Sequence, residues 1–373
     1  MSKAAELAAL IGSGQAQGNR NIIINGAMNV AQRSTSVSSL SSTATYSTCD
    51  RWMVQYGTAG TFTESQSSTA PDGFANSLKL DCTTADASPG YLLIIQNVEG
   101  QNLQQIKKGT SNALRTVMSF HVRSNKTGTY QVNIFDKDNT RIVGASYTID
   151  SANTWEKKSV TFPADTTGAF DDDNNNSLQI EWWLASGSTY NTGTLPTAWE
   201  TRDNADRAAA LNVAIGASTD DEFYITGVQF EIGDVATPFE HENPTETLVK
   251  CQRYYFETAR LTNSAVHYAS IGRISSTTQG VYTTSLPTPL RAAPTVAANP
   301  VYNTGSDWHN NLSGVDNRAW SGAPAAFAYP LEDAVVSWYV ATAAWASGYV
   351  GMVTQPYTPT GESENYISFD AEL

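Results

Sequence analysis

The stretch Ser-Leu-Gln-Ile-Glu-Trp-Trp-Leu at residues 177–184 decides the fold class of this chain. Its apolar side chains occupy every second position: Leu178, Ile180, Trp182 and Leu184. Gln179 and Glu181 alternate with them, and successive side chains of a β-strand point to opposite faces of a sheet. The alternation therefore predicts a strand with one face in a core, and it places Trp183 on the other face.

The same period of two recurs along the chain. Two further segments alternate in this way: Met118, Phe120 and Val122, and Tyr130, Val132 and Ile134. Phe223 and Ile225 also alternate, and the phase then slips by one residue at Gly227, which predicts a β-bulge. Many short strands with Gly, Asn, Ser and Thr between them predict an all-β, antiparallel sandwich. Residues 21–243 have the length of a jelly-roll-like sandwich.

The pair Asn243-Pro244 predicts a boundary between this sandwich and a smaller C-terminal β domain at residues 244–373. Residues 245–255 fit either a helical turn or an extended crossover. Alternating segments predict the strands of the C-terminal domain: 281–286, 295–297, 334–340, 349–353 and 366–369. Residues 1–20 form an N-terminal arm, and residues 2–11 predict a short helix whose apolar stripe needs a partner. We interpret the arm as an anchoring or oligomerising segment, with disorder as the alternative.

Composition and charge limit the partners that the chain can have. Its 373 residues carry a formal net charge of -14, and 16% of them are charged. A strongly acidic surface disfavours nucleic acid and anionic membrane surfaces as partners. It fits a soluble particle component or a binder of neutral glycans. The sequence contains no signal-peptide pattern and no transmembrane span, so we expect synthesis in a cytoplasm.

The three cysteines are odd in number and lack the spacing of a metal site. They are Cys49, Cys82 and Cys251. A disulfide framework or a zinc site is therefore disfavoured, and we expect buried free thiols.

Short motifs without catalytic chemistry are spread along the chain. They are Asn25-Gly26-Ala27-Met28, Gln32-Arg33, Asp50-Arg51-Trp52, Val228-Gln229-Phe230-Glu231-Ile232-Gly233, Ala236-Thr237-Pro238-Phe239-Glu240, Cys251-Gln252-Arg253-Tyr254-Tyr255 and Pro289-Leu290-Arg291-Ala292-Ala293-Pro294-Thr295. Together they resemble a family of bacteriophage tail-fibre and minor virion structural proteins with a jelly-roll domain like that of carbohydrate-binding modules. The resemblance covers residues 21–373. It implies a β-rich, homotrimeric virion appendage that contacts other virion proteins through its N-terminal arm and binds a partner.

The motif residues themselves fit a scaffold role. Asp50-Arg51-Trp52 and Gln32-Arg33 place cations beside apolar strand residues, and a charge near a core needs a partner. Glu231 and Glu240 are candidate partners. We expect these residues to hold the sandwich together without touching a ligand.

The run Asp171, Asp172 and Asp173 is the best candidate for a metal site, as a structural calcium site. Crowded carboxylate oxygens are the ligands that calcium prefers. The run lacks the spacing of an EF-hand, however, and three adjacent carboxylates cannot all point at one ion. A solvated turn between strands is the favoured alternative. We expect no other cofactor.

Aromatic side chains supply the candidate ligand-binding residues. Trp183 leaves the sandwich core if its strand is regular, and the loop that follows contains Tyr190 and Trp199. In the C-terminal domain, Trp308 and Trp320 lie in loop-like sequence, whereas Trp338 is flanked by valines and is predicted to be core. A flat ring near polar side chains can stack on a sugar while those side chains bind its hydroxyl groups. The alternative is that these rings pack under loops or between subunits.

Enzymatic activity is not predicted. The sequence contains no GxSxG, HExxH, P-loop or GxGxxG motif, and its four histidines are scattered. A polysaccharide depolymerase would need two carboxylates brought together in the fold, which sequence alone does not exclude. The repeats of a long parallel β-helix, on which such phage enzymes usually lie, are absent.

The functional prediction is a phage virion appendage that attaches to a host surface glycan or receptor by many weak contacts. Threefold display would convert weak single-site affinity into avidity. Two alternatives remain: a purely structural virion protein, such as a head fibre, decoration or collar component, and a depolymerase.

Overall fold

The structure, a computed structural model, describes residues 19–42, 44–258, 268–276, 279–299, 309–312, 316–319, 325–326, 334–341, 350–354 and 366–373. The chain divides into two compact units, residues 1–247 with Leu373 and residues 248–372. The predicted helix at residues 2–11 lies outside the described residues. The roles assigned to the arm and to the C-terminal domain stay predictions.

The first unit is built from short strands in two antiparallel sheets. Its strands are β1 (Ser36–Leu40), β2 (Ala44–Thr45), β3 (Met53–Gly57), β4 (Thr61–Ser67), β5 (Ser77–Thr84), β6 (Tyr91–Glu99), β7 (Thr116–Ser124), β8 (Gly128–Asp136), β9 (Arg141–Ile149), β10 (Glu156–Phe162), β11 (Asn176–Ser186), β12 (Glu200–Thr201) and β13 (Glu222–Ile232). The six-stranded sheet has the order β1-β4-β5-β13-β7-β10, and the seven-stranded sheet has the order β12-β9-β8-β11-β6-β3-β2. Helix α1 (Ser188–Asn191) follows β11. The unit is a jelly-roll-like sandwich, as the alternation predicts.

One apolar cluster fills the space between the two sheets. The side chains predicted to face the core all belong to it, with at most 1% of their surface exposed: Met118, Phe120, Val122, Tyr130, Val132, Ile134, Leu178, Ile180, Trp182 and Leu184. The ring of Trp182 lies 5.5 Å from that of Trp52 and 6.1 Å from that of Phe120 on the other sheet. Each large side chain buried in this way stabilises the fold by roughly 1.5–3 kcal/mol relative to exposure.

The bulge predicted at Gly227 is confirmed. The register between β13 and β7 shifts between Thr226 and Gln229, and Gly227 has a φ of +61°. A Cβ atom at this position would lie 2.6 Å from Cζ of Phe74 and 2.8 Å from Nδ1 of His121. Glycine is therefore required both by the left-handed backbone and by the close approach of two rings.

The motif around Asn25 belongs to the scaffold. Asn25 has a φ of 58° and is buried, and its amide nitrogen donates to the carbonyl oxygens of Val30 and Asp50, at 2.9 Å each. The backbone carbonyl oxygen of Asn25 accepts from Nε1 of Trp52 at 3.0 Å. The backbone N–H of Gln32 donates to Oδ1 of Asp50 at 2.8 Å. These bonds join three of the motifs into one hydrogen-bond network.

Two glutamates of the motifs bind backbone and hydroxyl donors. The carboxylate of Glu240 accepts from the backbone N–H groups of residues 19–21 at 2.8–3.0 Å. Glu231, which is 1% exposed, accepts from the N–H and the hydroxyl of Thr237. Both glutamates therefore hold neighbouring segments of the sandwich together through these hydrogen bonds.

The second unit is also β-rich. Helix α2 (Pro244–Gln252) spans the start of this unit at residue 248, so the helical alternative applies to most of residues 245–255. The strands are β14 (Tyr255–Glu257), β15 (Tyr268–Ser276), β16 (Gln279–Ser285), β17 (Thr295–Asn299), β18 (His309–Leu312), β19 (Asp316–Ala319), β20 (Ala325–Ala326), β21 (Val335–Ala341), β22 (Val350–Thr354) and β23 (Tyr366–Asp370). They form a three-stranded sheet, β14-β23-β17, and a seven-stranded sheet, β19-β18-β22-β15-β16-β21-β20.

The core of the second unit contains Trp338, as the sequence predicts. Trp338 is fully buried, its ring lies 5.0 Å from that of Tyr282, and its Nε1 donates to Oγ1 of Thr284 at 3.0 Å.

Throughout the described part of the chain, no helix has both the length and the apolar character that crossing a membrane requires.

Candidate functional site

An open cleft of about 840 Å³ lies where three neighbouring strands of the seven-stranded sheet end. Strand β3 ends at Gly57, β11 ends at Ser186, and Tyr91 begins β6 between them, in register with both. The cleft is lined by Gly57, Thr58, Ala87, Ser88, Pro89, Gly90, Tyr91, Ser186, Gly187, Ser188, Thr189, Tyr190 and Ala214. We call it the Tyr91–Tyr190 cleft. Its volume falls within the roughly 300–1,000 Å³ that is usual for small-molecule sites.

Glycines allow the three segments to approach each other at the cleft. The backbone N–H of Gly90 donates to the carbonyl oxygen of Thr58 at 3.0 Å, and that of Gly187 donates to the carbonyl oxygen of Gly90 at 2.6 Å. A Cβ at Gly90 would lie 2.5 Å from the carbonyl oxygen of Gly57. A Cβ at Gly57 would lie 2.3 Å from two ring atoms of Tyr91. The Tyr91 ring therefore rests directly on glycine backbone.

Tyr91 and Tyr190 form an aromatic corner in the cleft. Their ring centroids are 5.5 Å apart and their planes are at 85°. Tyr190 comes from helix α1, which the backbone bond from the N–H of Ala208 to the Tyr190 carbonyl oxygen (2.7 Å) ties to a later segment. Both rings are half-buried. A flat molecule in the cleft can thus lie against one ring and meet the other at its edge.

A buried ion pair, Arg207 with Glu181, packs against the ring of Tyr190. The guanidinium carbon of Arg207 lies 4.8 Å from the ring centre of Trp183 and 5.4 Å from that of Tyr190. Arg207 also donates to both carboxylate oxygens of Glu181, at 2.6 Å and 3.2 Å. Nε1 of Trp183 donates to the same carboxylate at 2.9 Å. Aromatic contact and hydrogen bonds together hold the Arg207 guanidinium in one position.

The segment that carries Arg207 crosses the outer face of the seven-stranded sheet. Nδ2 of Asn133 donates to the Arg207 carbonyl oxygen at 2.7 Å. Nε2 of Gln131 donates to the carbonyl oxygen of Asp206 at 3.0 Å, and its Oε1 accepts from the N–H of Ala210 at 2.9 Å. Polar side chains of β8 therefore bind the backbone of residues 206–210 and cover this face.

The remaining polar groups at the cleft are hydroxyls and backbone, beside the small apolar side chains of Ala87, Pro89 and Ala214. Thr58, Ser88, Ser186, Ser188 and Thr189 supply hydroxyl groups along the lining. A hydroxyl both donates and accepts, which matches the hydroxyl groups of a sugar. Rings with a few convergent polar groups are typical of small-molecule sites. The cleft can therefore hold a polyhydroxylated ligand without any covalent chemistry.

The predicted ligand-binding residue Trp183 requires a correction. It does leave the sandwich core, but it is 0% exposed and lies in a second apolar cluster with Leu93, Ile95 and Ala208. The segment bearing Arg207 and Ala208 covers the outer face of the sheet, so the Trp183 ring offers no surface to a sugar. For the same reason Glu181, predicted to face solvent, is fully buried.

Tyr190 and Trp199 lie in different places. Tyr190 lines the cleft, as described. Trp199 is half-buried beside a small cavity of about 20 Å³, with its Nε1 donating to the carbonyl oxygen of Pro163 at 2.8 Å. Nζ of Lys108 lies 4.9 Å from its ring centre and pairs with Asp136 and Asp165. Trp199 therefore packs against a buried ion cluster and does not line the Tyr91–Tyr190 cleft. Trp308 and Trp320 lie outside the described residues.

The side chains of Asp171, Asp172 and Asp173, the predicted calcium ligands, do not come together as one group of ligands. The described residues contain no group of three or more histidine, cysteine or acidic side chains that could hold a metal ion. The Asp173 carboxylate instead accepts from the N–H and the amide of Asn175, at 2.9 Å and 2.5 Å. The run forms a turn in which Asp171 and Asp172 are exposed, the alternative considered above.

One carboxyl group has a strongly shifted pKa away from the cleft. Burial raises the pKa of Glu64 to about 7, against opposing hydrogen bonds from Thr48 and Tyr56. Glu64 is 0% exposed and lies inside the sandwich. Shifted carboxyls are candidates for catalysis only where substrate can reach them, so we interpret Glu64 as a core group.

The sequence prediction missed most of the cleft, including Tyr91 and the glycines beside it. The signal for Tyr91 is the turn sequence Ser88-Pro89-Gly90 directly before an aromatic residue at a strand start. Nothing in the local sequence around Gly57 or Gly187 shows that both glycines approach the segment that bears Gly90 and Tyr91.

Comparisons with known proteins give structural likenesses at low similarity. No family model and no curated protein sequence matches the chain. The solved structures that resemble it include the enzymatically active domain of tailspike protein 4 of bacteriophage CBA120 (TM-score 0.30, 13% identity, 57% of this chain and 21% of that chain). The chain thus spans about a fifth of that tailspike chain.

Two carbohydrate-binding modules of Clostridium thermocellum also resemble the chain. One is the family 11 module in complex with a mixed-linked tetrasaccharide (TM-score 0.28, 13% identity, 50% of this chain and 91% of that chain). The other is the C-terminal family 22 module of Xyn10B (TM-score 0.27, 11% identity, 50% of this chain and 89% of that chain). At these TM-scores and identities, the likenesses establish no function for the chain.

Proposed function

We propose that this chain binds a host surface glycan non-covalently through the Tyr91–Tyr190 cleft, as part of a bacteriophage virion appendage. The observation that carries the glycan proposal is the right-angled pair of tyrosine rings in an open cleft whose other polar groups are hydroxyls and backbone. Ring faces bind the apolar C–H face of a sugar, and hydroxyl and backbone groups bind its hydroxyls.

Preorganisation makes this cleft suited to weak but specific binding. Tyr91 lies on Gly57, and Tyr190 is backed by the Arg207 guanidinium, so neither ring has to be ordered by the ligand. Ordering a free side chain costs roughly 0.5–1.5 kcal/mol on binding, and that cost is avoided here.

The virion assignment is supported by the order of the sequence motifs. Asn25, Asp50 and Glu240 of those motifs hold the sandwich together through hydrogen bonds, and no motif residue lines the cleft. The proposed appendage is a homotrimer that contacts other virion proteins through its N-terminal arm. Three cleft copies on one particle would multiply a weak affinity.

The test measures binding of the labelled protein to intact host cells, with and without their surface polysaccharide. We expect saturable binding that is lost when the polysaccharide is stripped. Tyr91→Ala and Tyr190→Ala should each weaken binding by about tenfold, because each removes one wall of the corner. Phe74→Ala, which removes a half-buried ring on the six-stranded sheet, is the matched control and should bind as the wild type does.

Binding that survives stripping, or no binding to any host by the assembled protein, would contradict the glycan proposal. The second result would favour the purely structural alternative, a head fibre, decoration or collar component.

The proposed attachment is also non-enzymatic. Incubation with the bound polysaccharide should leave its viscosity and its content of reducing ends unchanged. Release of reducing ends would identify a depolymerase instead, and the carboxylates responsible would then be sought by substitution.

A further inference from the structure

We infer that the Tyr91–Tyr190 cleft selects uncharged glycans and rejects those that carry carboxylate, sulfate or phosphate groups. The inference rests on the proposed function and adds the chemical class of its ligand. It follows from the charges at the cleft, which form three separate observations.

The lining of the cleft supplies no counter-ion. Of the thirteen described residues that line it, none carries a charged side chain. An anionic sugar entering the cleft would exchange water for tyrosine rings, hydroxyls and backbone. Losing hydration without gaining a cationic partner disfavours binding of a charged group.

The cation behind the cleft is already neutralised. The guanidinium carbon of Arg207 lies 5.4 Å from the ring centre of Tyr190, so this cation is in contact with one of the two cleft rings. Both of its bonds go to the two oxygens of Glu181, whose side chain is 0% exposed. Turning Arg207 toward a ligand would leave the Glu181 carboxylate buried and unpaired, which is strongly unfavourable.

An anion lies at the rim of the cleft. The Asp86 carboxylate accepts from the backbone N–H of Ser88 at 2.9 Å, which fixes it beside the lining residues Ala87 and Ser88. Charges within about 8 Å are incompletely screened at physiological ionic strength. Asp86 therefore repels an anionic sugar, in the same direction as the net charge of -14.

The experiment compares two forms of one polymer, the surface polysaccharide extracted from cells that bind the protein. In one form, the carboxylates are reduced to alcohols. In the other, primary alcohols are oxidised to carboxylates. We expect the full-length wild-type protein to bind the reduced form at least about tenfold more tightly in low salt. Equal or tighter binding of the oxidised form would overturn the inference while leaving the proposed function intact.

Oxidation of the polymer adds a negative charge but also removes a hydroxyl group. A substitution at the rim of the cleft distinguishes the effect of the charge from the effect of the lost hydroxyl group. Ala87→Lys adds a cation at the exposed rim and should strengthen binding of the oxidised polymer by about fivefold at low salt. The gain should vanish in concentrated salt. Ala152→Lys places the same charge on the exposed loop between β9 and β10 and should leave binding unchanged. A gain in both variants, or in neither, would contradict selection by charge at the cleft. If neither polymer form binds the wild type, the proposed function itself fails.

Discussion

At the scale of single residues, the buried pair of Glu181 and Arg207 explains how charge is held on the outer face of a sheet. The carboxylate receives two bonds from Arg207 and one from Trp183, and the Arg207 side chain is only 10% exposed. Removing one partner of a buried pair costs more than the pair contributes, because the other charge is left without compensation.

Arg207→Met should therefore lower the free energy of unfolding by about 3–5 kcal/mol. The double substitution Glu181→Gln with Arg207→Met should recover a large part of that loss, since no charge is then stranded. Denaturant unfolding curves of the wild type, Arg207→Met and the double variant give the comparison. Arg115→Met is the control, because its pair with Asp234 is 51% and 71% exposed and should contribute less than about 1 kcal/mol. Equal losses of unfolding free energy in Arg207→Met and Arg115→Met would contradict the buried-pair argument.

Glu64 makes the stability of the fold depend on pH. Burial raises its pKa from an ordinary 4.5 to about 7. Between these pH values the unfolded chain has lost the proton and the folded chain still holds it, so stability falls as pH rises from about 4.5 to 7 and then levels off. At about 1.4 kcal/mol for each pH unit, the loss at pH 8 is about 3 kcal/mol.

Glu64→Gln should remove this decline. The variant should gain stability relative to wild type as pH rises, by up to about 3 kcal/mol between pH 4.5 and pH 8, in unfolding measured across that range. Glu246→Gln alters an exposed carboxylate and controls for the change in net charge. Parallel curves for wild type and Glu64→Gln would show that Glu64 does not titrate in this way.

At the scale of elements, the strand ends rather than the strands position the cleft. Strands β3, β6 and β11 are aligned by their core residues, and their ends are joined by glycine backbone. The alternation of apolar residues predicts β11 and its core face correctly, as Trp182 and Trp183 show, whereas β3 and β6 are not among the predicted strands. What covers the outer face depends on the later segment around Arg207, which no local pattern indicates.

Gly57→Ala tests the role of the strand ends. The new methyl group would overlap the Tyr91 ring, whose Cε1 and Cζ lie 2.3 Å from the ideal Cβ position. The ring must move, so glycan binding should fall by about tenfold while the fold is retained. Gly73→Ala is the control: it has a φ of +91° but an open environment, so it should lower stability without affecting binding. Unchanged glycan binding by Gly57→Ala would show that Tyr91 is not part of the binding site.

At the scale of the whole molecule, the fold is predictable from sequence and the cleft is not. Periodic patterns such as residues 177–184 are local, and the bulge at Gly227 has a local signal in the phase of the alternation. The cleft combines residues 57–58, 87–91 and 186–190, which are far apart in sequence and approach each other only through the register of the sheet. The sequence predicts Tyr190 as an aromatic residue in a loop but does not indicate that Tyr91 lies beside it.

Display of several clefts on one assembly should decide how strongly the protein attaches. A single cleft whose lining carries no charged group among its described residues gains little from electrostatics, so we expect weak binding of a free oligosaccharide. The proposed homotrimer should bind intact cells about 10²–10⁴-fold more tightly than it binds that oligosaccharide. Sedimentation measures the oligomeric state, and titrations against cells and free oligosaccharide measure the ratio. Mixed trimers containing increasing shares of Tyr190→Ala chains should lose cell binding more steeply than in proportion to that share. A monomer, or equal affinities for cells and oligosaccharide, would contradict attachment by avidity.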